Sequence, residues 1–137
     1  MTPRRWLLAA IAALATSSLM LVALPACNTP FIPLPPPKDP TFMPVMVSDG
    51  MGGTRTMWQA SGPPSAELSE AKVSVYNASV GAGVIVKAQL DGSYVATPID
   101  GREGDRIQID YVAKDGRSGP GICRLLQTGQ AQTDCPQ

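Results

Sequence analysis

The sequence predicts an all-β fold, an antiparallel β-sandwich of about seven short strands, and three observations carry that prediction. Short runs of apolar residues alternating at period two recur between Lys72 and Leu126. Turn chemistry built on Gly, Pro and Asp separates them. No stretch beyond residue 27 sustains a helical repeat for more than a turn or two, so two packed sheets are the remaining way to bury the apolar faces.

The chain opens on a different kind of segment. Arg4 and Arg5 precede an apolar run of 19 residues, Trp6 to Leu24, that closes on small residues before a cysteine. That is the layout of an export leader. It is also long enough to cross about 30 Å of hydrocarbon as a helix, so a retained anchor is the alternative. Leu24-Pro25-Ala26-Cys27 resembles the lipobox of bacterial lipoproteins, with an aliphatic residue three before the cysteine and a small residue directly before it. The resemblance implies that residues 1–26 are a signal peptide, that Cys27 is the lipidation site, and that the mature chain meets the membrane through its N-terminal lipid. Several acyl chains, at roughly 0.8 kcal/mol per buried methylene, hold a protein to a bilayer for practical purposes permanently. In that family an aspartate after the cysteine favours the inner membrane; Asn28 stands there, which implies the outer membrane of a bacterial cell envelope.

Residues 27–46 read as a lipidated cysteine and a proline-rich tether. Seven of the fourteen prolines fall between Thr29 and Pro44, and proline fixes φ and removes a backbone donor, so an extended polyproline-like spacer is expected. Pro33 and Pro36 fit P-x-x-P, for which rigid spacing is a sufficient explanation.

Residues 47–127 read as the folded domain, with a short first strand at Val45–Val47 leading in. A glycine-rich turn follows at Ser48–Gly53, then a weak strand at Arg55–Ala60 ended by Gly62-Pro63-Pro64, and at most a turn or two of helix, or a loop, at Ser65–Ala71. Val73 and Val75 alternate with Lys72, Ser74 and Tyr76. Val84, Val86, Ala88 and Leu90 recur at period two and should share one apolar face. Asp91-Gly92 then predicts a hairpin of type I′ into Tyr94–Thr97. Ile107, Ile109 and Tyr111 alternate with Gln108 and Asp110 in a half-buried strand, and Gly121–Leu126 is the last one. About seven strands joined in this way suit the Ig-like architecture. The motifs Val73-Ser74-Val75-Tyr76-Asn77, Gly81, Asp91-Gly92-Ser93-Tyr94, Gly104-Asp105-Arg106-Ile107 and Asp115-Gly116-Arg117-Ser118 resemble the bacterial Ig-like repeats of surface and adhesion proteins over residues 55–127. Transthyretin-like and carboxypeptidase-regulatory-like sandwiches share the same hairpin. The resemblance implies a spacer, binder or stabilising module and says little of activity.

Cys123 and Cys135 are the two cysteines left beside Cys27, and in an exported chain such a pair is most simply a disulfide. It would pin a tail, residues 128–137, to the domain. The spacing is not C-x-x-C, and the chain has no histidine to complete a typical zinc site.

The absence of histidine excludes Ser-His-Asp and Cys-His nucleophile systems. Eleven basic and eleven acidic residues, with no basic stripe, argue against nucleic acid as a partner. Asp100, Glu103 and Asp105 cluster in one loop and could offer oxygens to calcium, but lack EF-hand spacing. Met43, Met46, Met51 and Met57 could offer thioethers to Cu(I), or fill gaps in packing. Trp58 and Tyr76 are the aromatics that could line a ligand face. Asn77-Ala78-Ser79 matches a glycosylation triplet and reads as a strand end. The expected function is therefore a non-enzymatic envelope lipoprotein, displaying one small domain as a structural or protein-binding module. It would use no cofactor, and another envelope protein would be its partner. The alternative is a small-ligand or carbohydrate binder using exposed aromatics.

Overall fold

The structure, a computed structural model, describes residues 32–136. It is an antiparallel β-sandwich of eight strands: β1 (Thr41–Ser48), β2 (Thr54–Gly62), β3 (Lys72–Asn77), β4 (Ala82–Lys87), β5 (Tyr94–Val95), β6 (Arg106–Val112), β7 (Ile122–Leu125) and β8 (Gly129–Gln130). One sheet has the order β5-β2-β1-β8 and the other β4-β3-β6-β7. The first seven strands thus divide as in Ig-like sandwiches whose fourth strand has joined the second sheet, and β8 is added beside β1.

In the second sheet the alternation fixes which face is buried. Val73, Val75, Ile107, Ile109 and Tyr111 point inward from the paired strands β3 and β6, while Ser74, Tyr76, Gln108 and Asp110 point outward. The first sheet supplies Phe42, Trp58, Ala60, Tyr94 and Ala96 to the same core. A 3-10 turn, Ala66–Leu68, drops Leu68 into it from between β2 and β3.

Three expectations are corrected. The tether was expected to run through residue 46, but β1 begins at Thr41 and pairs with β2 over eight residues. Pro44 is tolerated because its partner Trp58 exchanges both backbone hydrogen bonds with Ile99 instead. The Pro44–Trp58 pair is therefore not a hydrogen-bonded one, and the nitrogen that lacks a hydrogen faces the open side of β1. Residues 32–40 are extended but lie against the sandwich: Pro37 and Pro40 are buried, and Leu34 packs on the core. The Tyr111 hydroxyl donates to the Pro35 carbonyl at 2.6 Å.

The second correction concerns Asp91-Gly92, which does not join paired strands. β4 lies in one sheet and β5 in the other, so the turn is an arch between sheets. Only Gly92 has positive φ, at 80°, and the Gly92 N–H donates to the Gln89 carbonyl, which makes Leu90-Asp91 a type I turn followed by a left-handed glycine. A side chain at Gly92 would fall 1.7 Å from the Ser65 carbonyl oxygen, so the position is closed to other residues on two counts. The arch also turns Leu90 outward, against its expected place on the apolar face: its exposure is 79%.

The third is β8 itself, in residues expected to be only a pinned tail. The Ala131 N–H donates to the Pro40 carbonyl beside β1, while Leu125 N–H donates to Thr133 and Cys135 N–H to Cys123 along β7. The C-terminal segment is thereby bonded to both sheets and closes one open side of the sandwich, as the arch closes the other.

Candidate functional site

The two ends of the sandwich differ in how they are built. At the end carrying the β1–β2 turn, Asn77 is fully buried and organises the loops. Its amide donates to the Asp100 carbonyl and to Asp105 Oδ2, both at 2.9 Å, and its Oδ1 accepts from the Ser79 N–H at 3.0 Å. Asp105 Oδ2 also accepts from the Arg102 N–H at 2.9 Å. The inward-facing amide of Asn77 and Oδ2 of Asp105 are therefore spent on the protein's own loops. A depression of about 510 Å³ beside them is lined by Thr56, Ser79, Val80, Asp100, Gly101 and Arg102.

Among the described residues no group of three acidic or cysteine side chains converges as a metal site would require. Asp100 pairs with Arg55 at 3.3 Å instead of turning toward Asp105. The methionines are scattered too: Met43 and Met57 lie on the outward side of the first sheet, Met46 accepts from the Thr56 hydroxyl, and Met51 is exposed at the turn. Asn77 is closed to a glycan, since its amide has no surface.

At the opposite end, where residues 32–40 reach the sandwich, a groove of about 470 Å³ is lined by Leu34, Ala66, Glu67, Ser69, Lys114 and Arg117. The carboxylates in and beside it are committed. The Ser65 hydroxyl donates to Glu67 at 2.7 Å and, as the largest cause, holds that carboxyl below its ordinary value. Lys114 and then Lys87 do the same for Glu70. The Arg117 N–H and then its guanidinium lower Asp115. A serine hydroxyl against a carboxylate suggests a nucleophile and its base. However, a carboxyl lowered in this way is a weaker base than usual, so Ser65–Glu67 works as turn chemistry.

The structure separates the two aromatics that were to share a ligand face. Trp58 is 6% exposed, points into the core and donates from Nε1 to the Gly101 carbonyl at 3.1 Å. Tyr76, outward on β3, is 41% exposed. Among the described residues Tyr76 is the single exposed aromatic, so no second ring shares its face. The reason lies in register: Trp58 sits on the same side of β2 as Ala60, which faces Phe42.

Cys123 and Cys135 form a disulfide, with Cα atoms 5.4 Å apart. Between them Arg124 reaches Asp39 at 2.7 Å and also holds Asp134, so a half-buried guanidinium ties the segment before β1 to the tail. Sequence reading did not single out Arg124, since its two partners lie 85 residues upstream and 10 downstream. Cys27 and the leader lie outside the described residues. No helix among the described residues is long and apolar enough to cross a membrane. No protein-family model matches the chain, nor does any curated protein or solved structure match it.

Proposed function

We propose that this chain is a non-enzymatic lipoprotein of the bacterial cell envelope, anchored through acylated Cys27 and displaying one small sandwich as a structural or protein-binding module. The observation that carries the reading is Leu24-Pro25-Ala26-Cys27 at the end of a positively capped apolar run. The described domain is compatible with it in two respects. Its carboxylates are engaged in turns and ion pairs rather than converging on a cleft. Its cysteine pair is oxidised, which suits an exported chain.

Asn28 favours the outer membrane, and another envelope protein is the partner class that a displayed sandwich of this kind serves. The proposal is tested by mass spectrometry of the mature N-terminus together with fractionation of a Cys27→Ser variant. An acylated residue 27, and a variant released from the membrane fraction, are the expected results. An intact Met1 or an unmodified Cys27 overturns it.

A further inference from the structure

The four lysines of the chain all lie at one end of the sandwich. Lys38 donates to the Pro64 carbonyl, Lys72 opens β3, Lys87 closes β4, and Lys114 follows β6. Residues 32–40 reach the domain at this same end, since Leu34 lines the groove with Ser69 and Lys114. The Ser69 hydroxyl in turn donates to the Leu90 carbonyl at 2.8 Å, which puts the tip of the arch beside the groove.

Met51 at 94% and Met46 stand exposed at the opposite end, while Leu90 at 79% and Ile32 at 70% stand exposed here with Val112. Leu90 is held there by structure: the Gly92 and Ser93 N–H groups close the turn around it, and the Ser65 N–H fixes the Asp91 carbonyl. An apolar side chain displayed on a rigid turn tip, with lysines at the same end of the sandwich, has the composition of a surface that meets lipid head groups.

We infer that this end of the sandwich rests on the phospholipid surface that anchors Cys27, with Leu90 and Ile32 dipping between head groups. The inference depends on the acylation proposed above. Its geometric basis is the length of chain between the anchor and the fold. Cys27 and Ile32 are five residues apart, so the anchor can stand at most about 18 Å from Ile32 even when fully extended. The opposite end, with Met51 at the β1–β2 turn, lies farther off by the length of the eight-residue β1, about 27 Å. That end can reach the bilayer only if the sandwich lies on its side.

Charge adds nothing to this axis. Lys38, Lys72, Lys87, Lys114 and Arg117 stand against Asp39, Glu67, Glu70, Asp91 and Asp115 near the anchor, while Arg55, Arg102 and Arg106 stand against Asp49, Asp100, Glu103 and Asp105 at the far end. Contact is therefore chiefly apolar and only mildly sensitive to salt.

The test uses the full chain, processed and acylated in cells and reconstituted into vesicles of phosphatidylethanolamine and phosphatidylglycerol carrying brominated acyl chains. Tryptophan is introduced as Leu90→Trp or as Met51→Trp, and quenching is read relative to the unsubstituted protein, whose Trp58 is buried. Leu90→Trp should be quenched at least about twofold more than Met51→Trp, with a blue-shifted emission. Equal quenching of the two in a protein whose acylation is verified by mass overturns the inference and leaves the anchor standing. A mature chain without acyl groups overturns the anchor, and the inference with it.

Discussion

In the sheet β4-β3-β6-β7 the two central strands alternate apolar and polar residues and pair with neighbours on both sides. In the sheet β5-β2-β1-β8 the central pair is β1 with β2, and β1 carries two methionines and a proline and presents an open side beyond Phe42. The strands of β4-β3-β6-β7 would seek each other from local pattern alone. The other sheet is held by what surrounds it: β8 paired with its edge, the disulfide that pins the tail beyond β8, and Ile99 bonded to Trp58. The same amount of order can thus rest on periodicity or on closure, and the two respond to different perturbations.

The sharpest way to break that contrast is a pair of core truncations. Phe42→Ala, in the closure-dependent sheet, should cost about 3–5 kcal/mol, and Ile109→Ala, in the patterned sheet, about 2–5 kcal/mol, both read from urea unfolding. A Phe42→Ala cost below about 1 kcal/mol would mean that β1 is an ornament on a core the other sheet holds alone. Replacing Cys123 and Cys135 together by serine should cost about 3 kcal/mol, given the short loop they close. Its signature is local as well, because amide exchange should accelerate at Ala131 and along Thr41–Phe42 before it does in β3 and β6. Asn77→Ala should cost about 1–3 kcal/mol by stranding Asp105 and the Asp100 carbonyl, with thermal unfolding as the readout. Tyr111→Phe, which loses one bond to Pro35, should cost about 1 kcal/mol and loosen residues 32–40 without touching the sheets.

The pH response is the mildest within the ordinary range. Glu67, Glu70, Asp91 and Asp115 titrate below their ordinary values in the folded chain, so the unfolded chain binds more protons as pH falls through about 4.5 and 3.8. Stability should hold above that window and decline through it on acidification. Burial of Tyr94 raises its phenol above the ordinary 10.0, so the neutral form is favoured in the fold. The stabilisation is complete below pH 10 and should be lost as pH climbs beyond it, seen as alkaline unfolding by circular dichroism.

Much of the fold was legible where residues answer to their neighbours in sequence. β6 lies where Ile107, Ile109 and Tyr111 alternate, and β7 within the span expected for it. β1 was not legible as far back as Thr41, because proline at residues 40 and 44 argues for a spacer unless a partner strand happens to present a pair that needs no hydrogen bond there. The Asp91-Gly92 signal correctly marked a turn but not which sheet received the next strand. That choice belongs to Tyr94, whose ring packs over Gly62 of β2. Leu90 was misplaced for the same reason, since period two cannot say where a strand stops. Of the candidate residues, the cysteine pair followed from the expectation of export and from count. Trp58 was misjudged as exposed because the register of β2 depends on β1, the strand that sequence left obscure.

By itself the sequence determined the alternating strands, the turn positions and the expectation of an address at Cys27, since each depends on residues within a few positions of one another. Only the tertiary structure decided that residues 32–40 belong to the domain, that the tail bridges both sheets through Arg124 and β8, and that Leu90 faces outward beside the lysines. These are pairings between residues far apart in the chain, and no local pattern encodes a partner that only chain closure brings near.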